Sequence, residues 1–331
     1  MSLERTNHRS AGFTLPEILI ALTLGIFLLA AALQVYEISK KGSRATVASA
    51  FMIDGGRATA ALLSKTLKRT PDWGCWSTDN DPTTLDDGVD VHVTVDQFTV
   101  DQKELRPLRA PADVDGEPDS LVINYMSLAS STLTAAVDIE VDQVLAVNDV
   151  SAIQVHGRPL RAGDIIVVHD CTKSDVFAVS EIDTEANEIT VRCTNCGARN
   201  FSAGADVAAI EAFKLYIDNN NLCLSEDAFD EVCDDAEQLM SDVVDMQIHY
   251  GLDEDGDRLV DRYALAKHMT SGDWSRTQTI ELALLLRSAE DRVTDTNQNF
   301  VFDGVARTAS DNRLYKEQTI FVNLRNYRPY L

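Results

Sequence analysis

At 331 residues the chain is long enough to bury a sizeable core and to carry more than one subdomain. Its 29 Lys+Arg against 53 Asp+Glu leave a formal net charge of −24, which argues against nucleic-acid backbones as direct partners. Such a surface suits solubility outside the cell, a saline habitat or cation binding.

The chain begins with a short polar leader carrying Arg5, His8 and Arg9. Gly12-Phe13-Thr14-Leu15-Pro16-Glu17 follows and runs straight into the apolar stretch Ile18 to Val35. Phe13 to Tyr36 supplies the roughly 20 apolar residues that cross a bilayer, and Pro16 falls in the first helical turn, where its missing N–H is harmless. Glu17 is then an ionisable group at the head of a membrane-length helix, expensive there unless something pairs with it, and therefore a functional residue by default. This layout resembles the N-terminus of type IV prepilins. The resemblance implies a prepilin peptidase that cuts after Gly12 and methylates the new N-terminus at Phe13. It also implies a role for Glu17 in assembly, pairing with the Phe13 amine of a neighbouring subunit. The alternative is an ordinary secretory signal, with Arg5 and Arg9 as its basic region and Ala30-Ala31-Ala32 as its cleavage site. That alternative gives a soluble exported protein starting near Leu33, calcium-binding or adhesive in function, and leaves Glu17 without a reason.

Beyond the membrane the helix is expected to continue to about Arg69, with Val47, Phe51, Ala58, Leu62 and Thr66 as its apolar stripe. Gly42 and Gly55-Gly56 each weaken a helix by roughly 1 kcal/mol relative to Ala and read as kinks. Pro71 ends the helix. The domain reading is a leader over 1–12, a transmembrane helix over 13–36, its amphipathic extension over 37–70, and a globular β-rich head over 71–331.

In the head the periodicity turns to strands. They are expected at Val89–Val95, Leu121–Tyr125, Ile165–His169, Val176–Ile182, Glu188–Arg192, Phe213–Ile217, Val243–Tyr250, Thr279–Arg287 and Thr319–Arg325, with Asp/Gly/Pro-rich turns between them. The fold class is α+β, a long N-terminal helix packed on a mainly antiparallel sheet. Between about Ser77 and Asp235 only strands and cysteines are interpretable.

The six cysteines, Cys75, Cys171, Cys193, Cys196, Cys223 and Cys233, read as disulfides in an exported head. Cys223–Cys233, bracketing a short acidic loop, is the preferred pair. The rival is a zinc ribbon built from Cys193, Cys196, Cys223 and Cys233. Asp253, Asp255, Asp257 and Asp261 stand at the offsets of positions 1, 3, 5 and 9 of a calcium loop. Arg258 replaces its usual Gly and Ala264 its bidentate Glu. Asp295, Asn297, Asn299 and Asp303 repeat the offsets with the same two departures, at Phe300 and Ala306. Both stretches are equally explained as hairpin turns, which favour Asp and Asn. A bound calcium would be structural.

No nucleophile elbow, phosphate-cradling Gly loop or His-Glu-x-x-His stands in the sequence, and the expectation is a protein that is not an enzyme. Trp73-Gly74-Cys75, Val243 to Gly251 with its Asp-rich loop and Asp261-Arg262-Tyr263, Trp274, Thr279 to Ser288, and Val322 to Asn326 are similar to segments of the PilW family of minor pilins. That resemblance spans about half of the chain, at both ends. It implies assembly with other minor pilins and the major pilin into a complex that primes pilus growth, with the chain first in the inner membrane and then at the extracellular pilus tip. A type II secretion pseudopilin shares the same N-terminal logic and remains the nearest alternative.

Overall fold

The structure is a computed structural model that describes residues 14–67, 90–92, 108–110, 116–139, 142–170, 173–192, 199–226, 232–234, 237–274 and 276–324. The leader, Phe13, the expected helix stop at Pro71 and the Trp73-Gly74-Cys75 turn lie outside them, as do Cys171, Cys193 and Cys196.

Helix α1 spans Leu15–Leu67, 53 residues without a break, or about 80 Å at 1.5 Å per residue. Thr14 is its N-cap, with its carbonyl accepting the first helical bond from Ile18 N–H. The helix runs through Gly25, Gly42, Gly55 and Gly56 without interruption. Gly55 and Gly56 mark where the helix comes closest to the head. A Cβ at Gly56 would stand 1.8 Å from the Gln318 side-chain oxygen, and one at Gly55 would stand 3.0 Å from Met240 Cε.

The docked face is Met52, Gly56, Thr59, Leu63 and Leu67. This corrects the expected stripe: Val47, Phe51 and Leu62 remain 65%, 64% and 44% exposed. The largest apolar side chains set the sequence reading, whereas the sheet selects the face whose small residues admit a close approach. Full burial of an aliphatic side chain contributes roughly 1.5–3 kcal/mol, and Met52, Leu63 and Leu67 are all buried.

The head has two main sheets. In the four-stranded one, Val243–Leu252 and Thr277–Arg287 form the antiparallel centre, flanked by Arg262–Ala264 and Tyr315–Asn323. In the ten-stranded one, Asp206–Asp218 pairs with Leu121–Thr132 on one edge, and with Ile165–His169 and Asn221–Ser225 on the other. Its pairs are antiparallel except for Asp90–His92 beside Lys173–Asp183. Alternate residues such as Ile248, Tyr250, Ile280, Leu282, Leu284, Ile320 and Val322 point into the main core together with α1, the period-two pattern of β-strands, while Ala283 and Leu285 on the opposite face pack against Phe302. A second core, with Phe177 and Phe201 at its centre, fills the part of the head between Leu133 and Ala209.

Cys223 and Cys233 form the expected disulfide, closing a loop with a sequence separation of 10. That bond removes the zinc-ribbon alternative, because a disulfide sulfur is not a thiolate ligand.

The Gly56 contact generates a graded expectation. Gly56→Ala gains helix propensity of about 1 kcal/mol and has only the far end of Gln318 to displace, so stability changes little. Gly56→Leu must lift the helix off the sheet and lowers stability by about 1–3 kcal/mol, the usual cost of overpacking. Thermal unfolding of the full chain in detergent micelles checks both. Equal melting of the Leu variant and the native chain would refute the close approach.

Candidate functional site

At the head of α1, Glu17 Oε2 accepts from the Thr14 backbone N–H at 2.9 Å and from the Thr14 hydroxyl at 2.8 Å. A carboxylate three residues into the helix that reaches back to the cap N–H is the acidic half of a capping box. Its negative charge also opposes the positive end of the helix dipole. The second oxygen, Oε1, makes no hydrogen bond among the described residues. Glu17 can therefore cap its own helix with one oxygen and accept an external cation with the other.

The apolar half of α1 is bare. Ile18, Leu19, Ile20, Leu22, Leu24, Ile26, Phe27, Leu28 and Leu29 are all more than half exposed. One helix is long and apolar enough to cross a membrane among the described residues, and it is this one. A helix apolar on every side and covered by nothing in its own chain is built for lipid or for other helices.

Where α1 leaves that zone it meets the head through charge. Lys41 Nζ lies 2.6 Å from Asp295 Oδ1, and Arg44 Nε lies 3.9 Å from Glu290 Oε2. The hydrogen bond from Lys41 and the charge of Asp295 hold the ammonium pKa above its usual range. Both pairs are largely exposed, so they orient the helix more than they stabilise it. Beside them a groove of about 310 Å³ runs between α1 and the head, lined by Val47, Phe51, Met52, Met240 and Val293. Nothing in the spacing of Lys41 and Arg44 pointed to these partners, which stand more than two hundred residues further along.

The first acidic loop is assembled as a compact turn after Val243–Leu252. Oxygens of Asp253, Asp255 and Asp261 lie within 4.8 Å of one another, and Asp257 is not part of the group. Arg258, at the position where a calcium loop has Gly, adopts φ +71°, the left-handed backbone that Gly provides there. The loop also satisfies itself. Asp253 accepts from Gly256 N–H at 2.7 Å and from Arg258 N–H at 2.8 Å, and Asp261 accepts from Glu254 N–H at 2.7 Å. Arg262 bridges Glu254 and Asp273, and its hydrogen bond to Glu254 is the main reason its pKa is raised. Three carboxylate oxygens so placed can hold a hard divalent cation while their remaining lone pairs keep the turn bonds.

The second acidic stretch does not converge. Residues 299–308 form a tight hairpin, Asn299–Phe302 with Val305–Thr308, turning at Asp303 and Gly304 with φ of +50° and +70°. Four residues of strand separate Asn299 from Asp303 by about 13 Å. Asp295 is bound to Lys41, Asn299 accepts from Thr308, and Asp303 lies 2.7 Å from His249 Nε2. The calcium reading of Asp295, Asn297, Asn299 and Asp303 is thus replaced by a hairpin pinned to the four-stranded sheet. Arg307 adds a 2.8 Å bond to Asp245 there.

Comparison with known proteins returns two family matches. Residues 7–33 match the prokaryotic N-terminal methylation motif, and residues 214–326 match type IV pilus-assembly protein W. The second match covers the four-stranded sheet and the strands through which the head receives α1. No curated protein matches. Among solved structures, a type IV-like pilin from Thermus thermophilus shares 10% identity, with 54% of this chain and 91% of that one covered, at a TM-score of 0.23. A superposition that loose carries no argument about this chain. The methylation motif at the head of a bare apolar helix, and the PilW match over the strands on which that helix docks, support a type IV minor pilin of the PilW family.

Proposed function

We propose that this chain is a structural subunit that assembles with other minor pilins into the complex priming type IV pilus growth, and that it occupies the pilus tip. It is made as a prepilin, held in the inner membrane by the first half of α1, and cut by prepilin peptidase between Gly12 and Phe13. The head then lies on the periplasmic side until the fibre carries it out of the cell. The observation that carries this reading is the division of one unbroken helix, with its second half docked on the head and its first half uncovered. Exposed Val47, Phe51 and Leu62 extend the uncovered surface past the membrane. That surface suits other pilin helices and the underside of other pilin heads, and no chemistry is required of it.

Glu17 gives the assembly its register. Cleavage creates a methylated amine at Phe13, and a carboxylate in lipid seeks a cation. The open Oε1 accepts the amine of an adjacent subunit while Oε2 keeps the helix capped. Glu17→Ala is therefore expected to leave processing intact and to lower incorporation into pili severalfold, measured by pilus shearing and immunoblotting. Normal fibre number with normal incorporation would defeat this role. N-terminal sequencing of the mature chain tests the frame itself. A methylated Phe13 supports it, while a chain beginning at Leu33 makes this a secreted soluble protein.

We further propose that Asp253, Asp255 and Asp261, with Asp257 at the rim, hold one structural calcium ion. The convergence of the three oxygens and the left-handed Arg258 favour it. Millimolar calcium should raise the melting temperature of the full chain by a few degrees, in line with ligand linkage, and Asp255→Ala should abolish the increment. Identical melting curves with calcium and with chelator would leave the loop as a self-bonded turn.

A further inference from the structure

The four-stranded sheet ends in two unlike edges. One is Arg262–Ala264, three residues long. The other is Tyr315–Asn323, nine residues bonded to Thr277–Arg287 on one side only. At its two ends, Leu314 C=O accepts Ser288 N–H at 2.8 Å, and Leu324 N–H donates to Gln278 C=O at 2.9 Å. The register between them is unbroken, so Lys316, Gln318, Ile320 and Val322 direct their backbone groups inward. Tyr315, Glu317, Thr319, Phe321 and Asn323 turn theirs outward.

The first outward position is closed by a side chain. Gln298 Nε2 donates to Tyr315 C=O at 2.9 Å, and Gln298 Oε1 accepts Tyr315 N–H at 2.7 Å. One side-chain amide thus stands where the peptide group of a neighbouring strand would be. Beyond it the edge is open. Among the described residues nothing bonds the backbone N–H or C=O of Glu317, Thr319, Phe321 or Asn323. These groups lie along about 20 Å of strand. Native sheets blunt such an edge with shortness, Pro, Lys, a bulge or a cover. From Glu317 to Asn323 there is no Pro, no Lys and no bulge. Ile320 and Val322 are buried on the α1 side, whereas on the other face Thr319 and Asn323 are exposed and Phe321 is 58% exposed.

We propose that this edge docks one extended strand of a different polypeptide, which continues the four-stranded sheet by backbone pairing. A second copy does not fit. Helix α1 runs along Tyr315–Asn323 in the same direction, from Val47 and Phe51 beside Ser288 to Gly56 beside Gln318. Two copies paired antiparallel through this edge would send their bare apolar halves opposite ways. One membrane could not hold both, a step that rests on the membrane reading given above. The neighbouring side chains set the chemistry of the incoming strand. Beside Thr319 and Phe321 it presents β-branched or aromatic residues, which pair well across strands. Glu317 at the opening, and Glu281 as the cross-strand neighbour of Phe321, add local negative charge to a chain of net −24. The strand that complements them is basic.

The probe is a fluorescein-labelled peptide of alternating valine and threonine with a lysine at each end. It is titrated by anisotropy against the full chain in detergent micelles, and saturable binding is expected. Thr319→Pro deletes one outward N–H, at a position where edge strands tolerate Pro. Circular dichroism should be unchanged while binding weakens at least tenfold. Phe321→Ala keeps every backbone group and should weaken binding by less than fivefold, which separates strand pairing from adsorption to an apolar surface. Hydrogen exchange on the native chain needs no variant. The Thr319 and Phe321 amides should exchange fast in the free chain and at least tenfold more slowly with peptide, while Ile320 is protected in both. No binding would overturn the proposal, as would equal binding by Thr319→Pro or protection of Thr319 and Phe321 in the free monomer. A concentration-dependent dimer that protects those amides would overturn the choice of a different polypeptide. None of these readouts depends on prepilin processing or on incorporation into pili, so failure here is distinct from failure of the pilin reading.

Discussion

The contact on which everything else depends is the seating of the second half of α1 on the head. Met52, Thr59, Leu63 and Leu67 are buried there, and Gly56 lets the backbone approach Gln318. If that seating failed, the main core would lose one wall, since Met52, Leu63 and Leu67 belong to the same cluster as Leu282, Leu284 and Val322. The apolar half of the helix would then be a flexible tether. With the seating in place, the uncovered half of the helix extends away from its docked face, with Glu17 at its far end.

One helix therefore satisfies two different solvents. In lipid every backbone group must be bonded internally, and an uninterrupted helix does that. Against the head the same helix needs one narrow face that fits a sheet. The chain meets both demands by changing composition rather than conformation, apolar from Ile18 to Val35 apart from Thr23 and Gln34, and one-sided afterwards. Lys41 and Arg44 stand at the change, paired with Asp295 and Glu290 of the head. Those exposed pairs join helix and head just before the buried contacts begin at Met52.

The acidic residues serve mostly as turn chemistry. Asp253 and Asp261 accept backbone N–H groups, Asp303 sits at a hairpin tip beside His249, and Asp245 receives Arg307. These acids thus serve sites that need oxygen acceptors, and among the described residues one stretch gathers carboxylates closely enough to hold an ion.

By itself the sequence determined the apolar N-terminal helix, most of the long strands and the Cys223–Cys233 bond. Each of these is written in residues close together in the chain: an apolar run, period-two alternation, two cysteines around a short loop. The tertiary structure alone decided which face of α1 is buried, because that choice depends on Gln318 and Met240, far away in sequence, meeting two glycines. It alone drew Asn299 away from Asp303, since a strand and hairpin stand where a linear spacing suggested a loop. It also left one long edge of the four-stranded sheet open, because strand order is set by pairings between segments far apart in the chain.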